Sequence, residues 1–158
     1  MRLWHSKLIP LLDGKRLCDL HMSCCNLRGK GWGKRNAAVG YLYEDEFGED
    51  ALAAYHHMVL KEMMNRGMRP DRRWVLLNYC GKQRPMRQGD PDKYMEALRR
   101  NIPLKGHTVK LYLNDVKALQ DRGLDVKLFC CTDSDDNGSY TVYRARRGNV
   151  ETTYGIRL

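Results

Sequence analysis

The sequence predicts a mainly α body with a small β-rich appendage at its C-terminal end, α+β overall. Three observations carry that expectation. Apolar residues recur at helical spacing through residues 13–28 and 49–66, and a glycine follows each run. Beyond Gly123 the pattern changes to short runs rich in β-branched and aromatic residues, separated by turn-like stretches. The length of 158 residues suits one ordinary domain, or one with a small addition. Residues 1–105 are therefore expected to form a helical, basic domain, and residues 106–158 a helix plus β-hairpin appendage.

Taken in order, residues 13–28 read as a helix with Asp13 as its N-cap and Gly29 just past its end. The loop "LRGKGWGKR" follows, and an extended "AAVGYLY" leads into "EDEFGED", a loop and helix entry. Residues 49–66 form a strong helix, acidic at its start and basic at its end, as the helix dipole prefers. Gly67 closes it and Pro70 confirms the stop. Its methionines, Met58, Met63 and Met64, read as core filling. A third helix is expected from Pro91 to Asn101 and a fourth from Asn114 to Arg122, closed by Gly123. The strand-like runs are "VKLFCC", "SYTVYRA" and "VETTYGIRL". "DSDDNG" resembles part of a calcium loop but lacks the glutamate that closes one, so a hairpin turn is expected there.

The chain carries 28 Lys and Arg against 19 Asp and Glu, a net charge of +9, and nearly all the excess lies in the first 105 residues. Arg66, Arg69, Arg72, Arg73, Lys82, Arg84 and Arg87 fall in a stretch whose one acid is Asp71, with Trp74 and Tyr79 interleaved. Cations mixed with stacking aromatics point toward nucleic acid or nucleotide as partner. The run "LWHSKLIPLL" is broken by His5, Lys7 and Pro10, and no segment has the length of a membrane span, so a cytoplasmic protein without membrane contact is expected.

Cys18, His21 and Cys25 would project from one side of a helix, as metal ligands can. The stripe of Leu17, Leu20, Cys24 and Leu27 beside them has the spacing of a buried face, and no fourth ligand stands nearby in the sequence. The cysteines are accordingly read as small buried hydrophobes, with no metal or cofactor assigned.

Four motifs sharpen the functional expectation: "MRLWH" at the N-terminus, "LRGKGWGK" at 27–34, "MNRGMRPD" at 64–71 followed by Trp74, and "NYCGK" at 78–82. Together they resemble the pyrimidine-dimer DNA glycosylases of the endonuclease V-like family, in the same order over roughly the first 100 residues. The resemblance implies chemistry by a free α-amine, here that of Met1. Such an amine, titrating near pH 8, is partly unprotonated at neutrality and can attack the sugar C1′, expel the base through an imine and permit β-elimination. It implies Arg2 and His5 beside that amine and a phosphate cradle in the glycine loop. Gly29, Gly31 and Gly33 would present backbone N–H groups, Arg28, Lys30, Lys34 and Arg35 would supply charge, and Trp32 a stacking face. Lys82 of "NYCGK" joins the same binding set.

The resemblance breaks at one point. Where the family carries an Arg-Glu pair, this chain has Met22-Ser23. Serine does not ionise at neutral pH, so charge stabilisation and proton transfer by that glutamate are missing. Asp19 stands one helical turn earlier. The expectation is thus a nucleic-acid- or nucleotide-binding protein with lost or altered excision chemistry, of the kind a phage would use to sequester a cyclic or modified nucleotide signal of host defence. Its alternatives are an active glycosylase and AP lyase acting through Met1, and a nonspecific DNA-binding structural protein.

Overall fold

The computed structural model describes residues 3–30, 49–75, 96 and 109–157. A 3-10 segment, Ser6–Leu11, opens the chain, and helix α1, Gly14–Lys30, follows. Helix α2 is Glu49–Asn65, and a short 3-10 turn, Arg72–Val75, lies beyond it. Helix α3, Val109–Asp121, leads into three strands, β1 (Lys127–Asp135), β2 (Gly138–Arg147) and β3 (Val150–Arg157). The fold class is the expected one, mainly α with a small antiparallel C-terminal sheet.

Both described glycine stops work as the sequence suggests. Gly67 has φ 78° and Gly123 has φ 86°, a conformation that costs glycine little. Behind Gly67, Met68 N–H donates to Met63 C=O (3.0 Å) and Gly67 N–H to Met64 C=O (3.0 Å). Leu124 to Leu119 and Gly123 to Gln120 repeat this pattern at 3.0 Å each, so α2 and α3 both end in a Schellman turn.

Three boundaries differ from the sequence expectation. Helix α1 runs through Gly29 to Lys30, because the burial of Leu27 and Arg28 carries the helix beyond its glycine. Helix α3 starts at Val109, five residues early, as Tyr112 of its first turns is wholly buried. The strands β1 and β2 extend into "TDSD", pairing Thr132 with Thr141 and Asp135 with Gly138, so the turn is reduced to Asp136 and Asn137. The sheet order is β1-β2-β3, antiparallel throughout, with Arg147 opposite Val150 at the second turn. The helix expected at 91–101 lies outside the described residues except for residue 96, which is helical, and "AAVGYLY" lies outside them altogether.

One hydrophobic cluster joins these elements. Leu3, Trp4, Leu8, Ile9, Leu11 and Leu12 pack with Leu17, Leu20, Cys24 and Leu27 of α1, with Leu52, Tyr55 and Val59 of α2, and with Tyr112, Val116, Val126 and Ala145 from the C-terminal third. Such burial exposes the N-terminal segment to a cost, since its backbone polar groups leave water. Distant side chains meet that need. The Asp115 carboxylate accepts from the His5 backbone N–H at 2.7 Å, and the Tyr55 hydroxyl donates to the Trp4 carbonyl. Arg66 donates to the carbonyls of Leu12 (2.6 Å) and Pro10 (3.0 Å), and Arg147 to that of Leu11 (2.6 Å).

Asp115 is wholly buried and charged groups make the stronger hydrogen bonds. Asp115→Ala should therefore lower the unfolding free energy by about 2–3 kcal/mol in urea denaturation, whereas replacing the exposed Asp121 should change it by less than about 0.5 kcal/mol.

Candidate functional site

Helix α1 presents two chemically different faces. Arg16, Asp19 and Ser23 recur at intervals of three and four residues on one side, and His21, Cys25 and Arg28 do so on the other. Leu17, Leu20, Cys24 and Leu27 fill the apolar stripe between them.

The first face opens on a pocket of about 170 Å³ lined by Trp4, Arg16, Asp19, Leu20, Ser23 and Arg122. Asp13 holds Arg16 through both carboxylate oxygens (3.1 and 3.2 Å), and Arg16 in turn donates to the Arg122 carbonyl at 2.9 Å. The Arg122 guanidinium lies over the Trp4 ring, 5.1 Å from its centroid. A hydroxyl, a carboxylate, two guanidinium groups and an indole thus surround one small space. Such a set can position an anionic, hydrogen-bonding ligand against an aromatic ring, and among the described residues Asp19 is the acid in its lining. Trp4 places this pocket three residues along the chain from Met1. Met22 points away from the core, 55 % exposed.

The structure brings together only part of the expected set. Ser23 lines the pocket with Asp19. His5 stands elsewhere, 1 % exposed, its Nδ1 accepting from the Lys7 N–H at 3.1 Å and its ring edge-on to Tyr112 and Tyr154. Arg28 is buried to 1 % rather than displayed at the root of the glycine loop. Met1, Arg2, Trp32, Lys34, Arg35, Lys82 and the side chain of Lys30 lie outside the described residues. Arg66, counted among the basic stretch, is spent on Glu62 (2.8 Å) and on the N-terminal carbonyls. Arg16 and Arg122 escaped the sequence reading, for no motif marks either and 106 residues separate them. Only the position of Arg122 at the end of a predicted helix offered a hint.

The second face of α1 meets α2 in a buried polar cluster. The Nδ1 of His21 and the Nε2 of His56 are 2.9 Å apart. The Cys25 Sγ lies 3.8 Å from that same His56 nitrogen and 3.6 Å from the Nε2 of His21. Arg28 completes the group, with NH1 2.9 Å from the His56 Nδ1 and 3.0 Å from the Trp74 carbonyl, and its guanidinium over the Trp74 ring. A guanidinium only donates, so the His56 Nδ1 accepts and neutral His56 carries its proton on Nε2, facing His21. His21 then carries its proton on Nε2, on the side of the Cys25 sulfur.

Burial, and after it the neighbouring Arg28 charge, holds His56 well below the usual histidine range. Burial also lowers His21, an effect that the Asp71 carboxylate opposes. Burial pushes the Cys25 thiol up to about 11 against the pull of Arg28, and pushes Cys24 up as well. Cys24 is the small buried hydrophobe the sequence suggests, whereas Cys25 is half-buried and polar in its surroundings.

The helical pocket beside the N-terminal segment and the small sheet behind it define an α+β protein with an anion-competent, aromatic-edged cleft on its first long helix. Residues 1–76 match the family model of pyrimidine dimer DNA glycosylase, the family to which the four motifs pointed. The chain matches no curated protein and no solved structure. Among the described residues no helix is long and apolar enough to cross a membrane.

A histidine held neutral in the fold but free to protonate when unfolded makes stability decrease as pH is lowered. The unfolded chain takes up protons below the ordinary value of 6.5 while folded His56 does not, so the stability present above 6.5 is lost as pH drops below it. The urea midpoint should decrease between about pH 7.5 and about pH 5.5, and in His56→Gln that slope should be shallower.

Proposed function

We propose that this protein binds DNA or a small nucleotide on a pyrimidine-dimer glycosylase scaffold whose base-excision chemistry is lost or altered. The observation that supports this is Ser23. It lines the pocket beside Trp4, at the position where the family resemblance calls for a glutamate. A hydroxyl there can hold a ligand by a hydrogen bond but can neither balance the positive charge that develops at the sugar nor relay a proton. Losing such a group costs about 10²-fold or more in rate. Arg16, Arg122 and Trp4 retain what binding needs, a phosphate partner and an aromatic edge. A nucleotide-sequestering protein of phage anti-defence would use the same features.

Asp19 favours a second possibility, that excision survives with the acid moved one helical turn. It shares the pocket with Ser23, and among the described residues its carboxylate is the acid in the lining. In that case the α-amine of Met1 forms the imine at C1′ and Asp19 serves the proton transfers.

Borohydride trapping on an abasic duplex separates the two. Weak trapping by the natural protein, raised about 10-fold or more in Met22→Arg/Ser23→Glu, is the expected outcome, since the glutamate restores a step worth about that much or more. Strong trapping by the natural protein that is lost in Asp19→Asn would establish excision through Asp19 instead. The ligand class is read from salt. Affinity for duplex DNA should drop by about 10³-fold between ~50 and ~200 mM salt through counterion release, whereas a mono- or cyclic nucleotide carries too few charges for so steep a fall.

A further inference from the structure

We propose that His21, Cys25 and His56 form a three-ligand site for a zinc-class divalent ion, clamping α1 to α2. These side chains offer one sulfur and two ring nitrogens, all within 4.8 Å of one another. A tetrahedral ion with metal–sulfur bonds of about 2.3 Å and metal–nitrogen bonds of about 2.1 Å spaces sulfur and nitrogen about 3.6 Å apart and two nitrogens about 3.4 Å apart. Here the Cys25 Sγ is 3.8 Å from both the His21 Nδ1 and the His56 Nε2, and those two nitrogens are 2.9 Å apart. Opening the ring pair by about half an ångström would fit the ion. His21 and Cys25 stand one helical turn apart, a spacing that aims both at one point, and α2 supplies the third ligand across the interface.

The donor set suits a borderline-soft ion such as zinc, being thiolate and imidazole without a carboxylate. One proton leaves on binding, from the Cys25 sulfur, while His56 stays neutral and shifts its proton from Nε2 to Nδ1. Arg28 then gives up that ring nitrogen and keeps the Trp74 carbonyl as its acceptor. The Asp71 carboxylate, itself paired with Arg73, acts electrostatically on both His21 and Cys25. Three protein ligands leave one position for water. The site faces away from Ser23 and is independent of the proposed nucleotide pocket.

The experiment uses the full chain carrying Cys130→Ser and Cys131→Ser, which removes the two exposed thiols among the described residues, and Cys80→Ser. After treatment with a chelator, the protein is titrated with Co²⁺ as a spectroscopic probe. One equivalent should produce a thiolate-to-cobalt charge-transfer band and tetrahedral visible bands, displaced by one equivalent of Zn²⁺. The charge-transfer band should vanish in Cys25→Ser, and the tetrahedral bands should be lost in His56→Gln. No charge-transfer band at one equivalent, or a band that survives Cys25→Ser, would overturn the site. Should either variant fail to fold by circular dichroism, X-ray absorption of the zinc-loaded parent decides. A shell of one sulfur and two imidazole nitrogens is the expected result, and an all-oxygen or multi-sulfur shell would refute it.

Discussion

Burial of the chain's first dozen residues is the constraint on which the other elements depend. Leu8, Leu11 and Leu12 are inaccessible to solvent, and the 3-10 segment that carries them has Pro10 inside it and few backbone bonds of its own. A segment so buried loses water from carbonyls that no helix or sheet satisfies. The protein answers with groups drawn from several elements: Tyr55 from α2 and Arg66 from the turn just after it, Asp115 from α3, Arg147 from the end of β2. The same contacts that satisfy the segment also dock the C-terminal sheet onto the helices. Helices and sheet therefore share one core, and the aromatic set of His5, Tyr112 and Tyr154 sits at their junction.

That arrangement positions the pocket. Trp4, anchored through its carbonyl by Tyr55, presents its ring to Arg122 at the end of α3, and Arg16 ties the Arg122 backbone to α1. Ser23 and Asp19 thus face a cleft whose walls come from three separate parts of the chain. A nucleotide entering it would meet charge already oriented by Asp13 and by the indole, so little side-chain ordering is left to the binding step.

The opposite face of α1 carries the cost of a buried arginine. Arg28 is tolerable there because it meets specific acceptors, among them a carbonyl of Trp74 and a ring nitrogen of His56, with the indole face below it. Its presence dictates the proton positions on two histidines and adds to the burial that holds His56 neutral. A charge that composition counts as surface potential becomes, in the fold, the element that organises a polar interior.

Much of the architecture was legible in the sequence. Helical spacing and the glycines at 67 and 123 located α2 and the close of α3, and the β-branched runs with their two turns located the sheet. These are local properties, set by backbone sterics and by the period of apolar residues. Ser23 stood out in the sequence as a departure from the family motif, and the fold sets it in the lining of the pocket. The tertiary structure alone decided which cations remain available to a ligand, because a guanidinium's fate depends on whether a distant carbonyl needs a donor. Arg16, Arg28 and Arg66 all donate to carbonyls in that way, Arg16 across 106 residues to Arg122, whose own guanidinium lies over the Trp4 ring. It also decided that His56 joins His21 and Cys25, for the two helices are separated in sequence by a segment whose length says nothing of which faces meet.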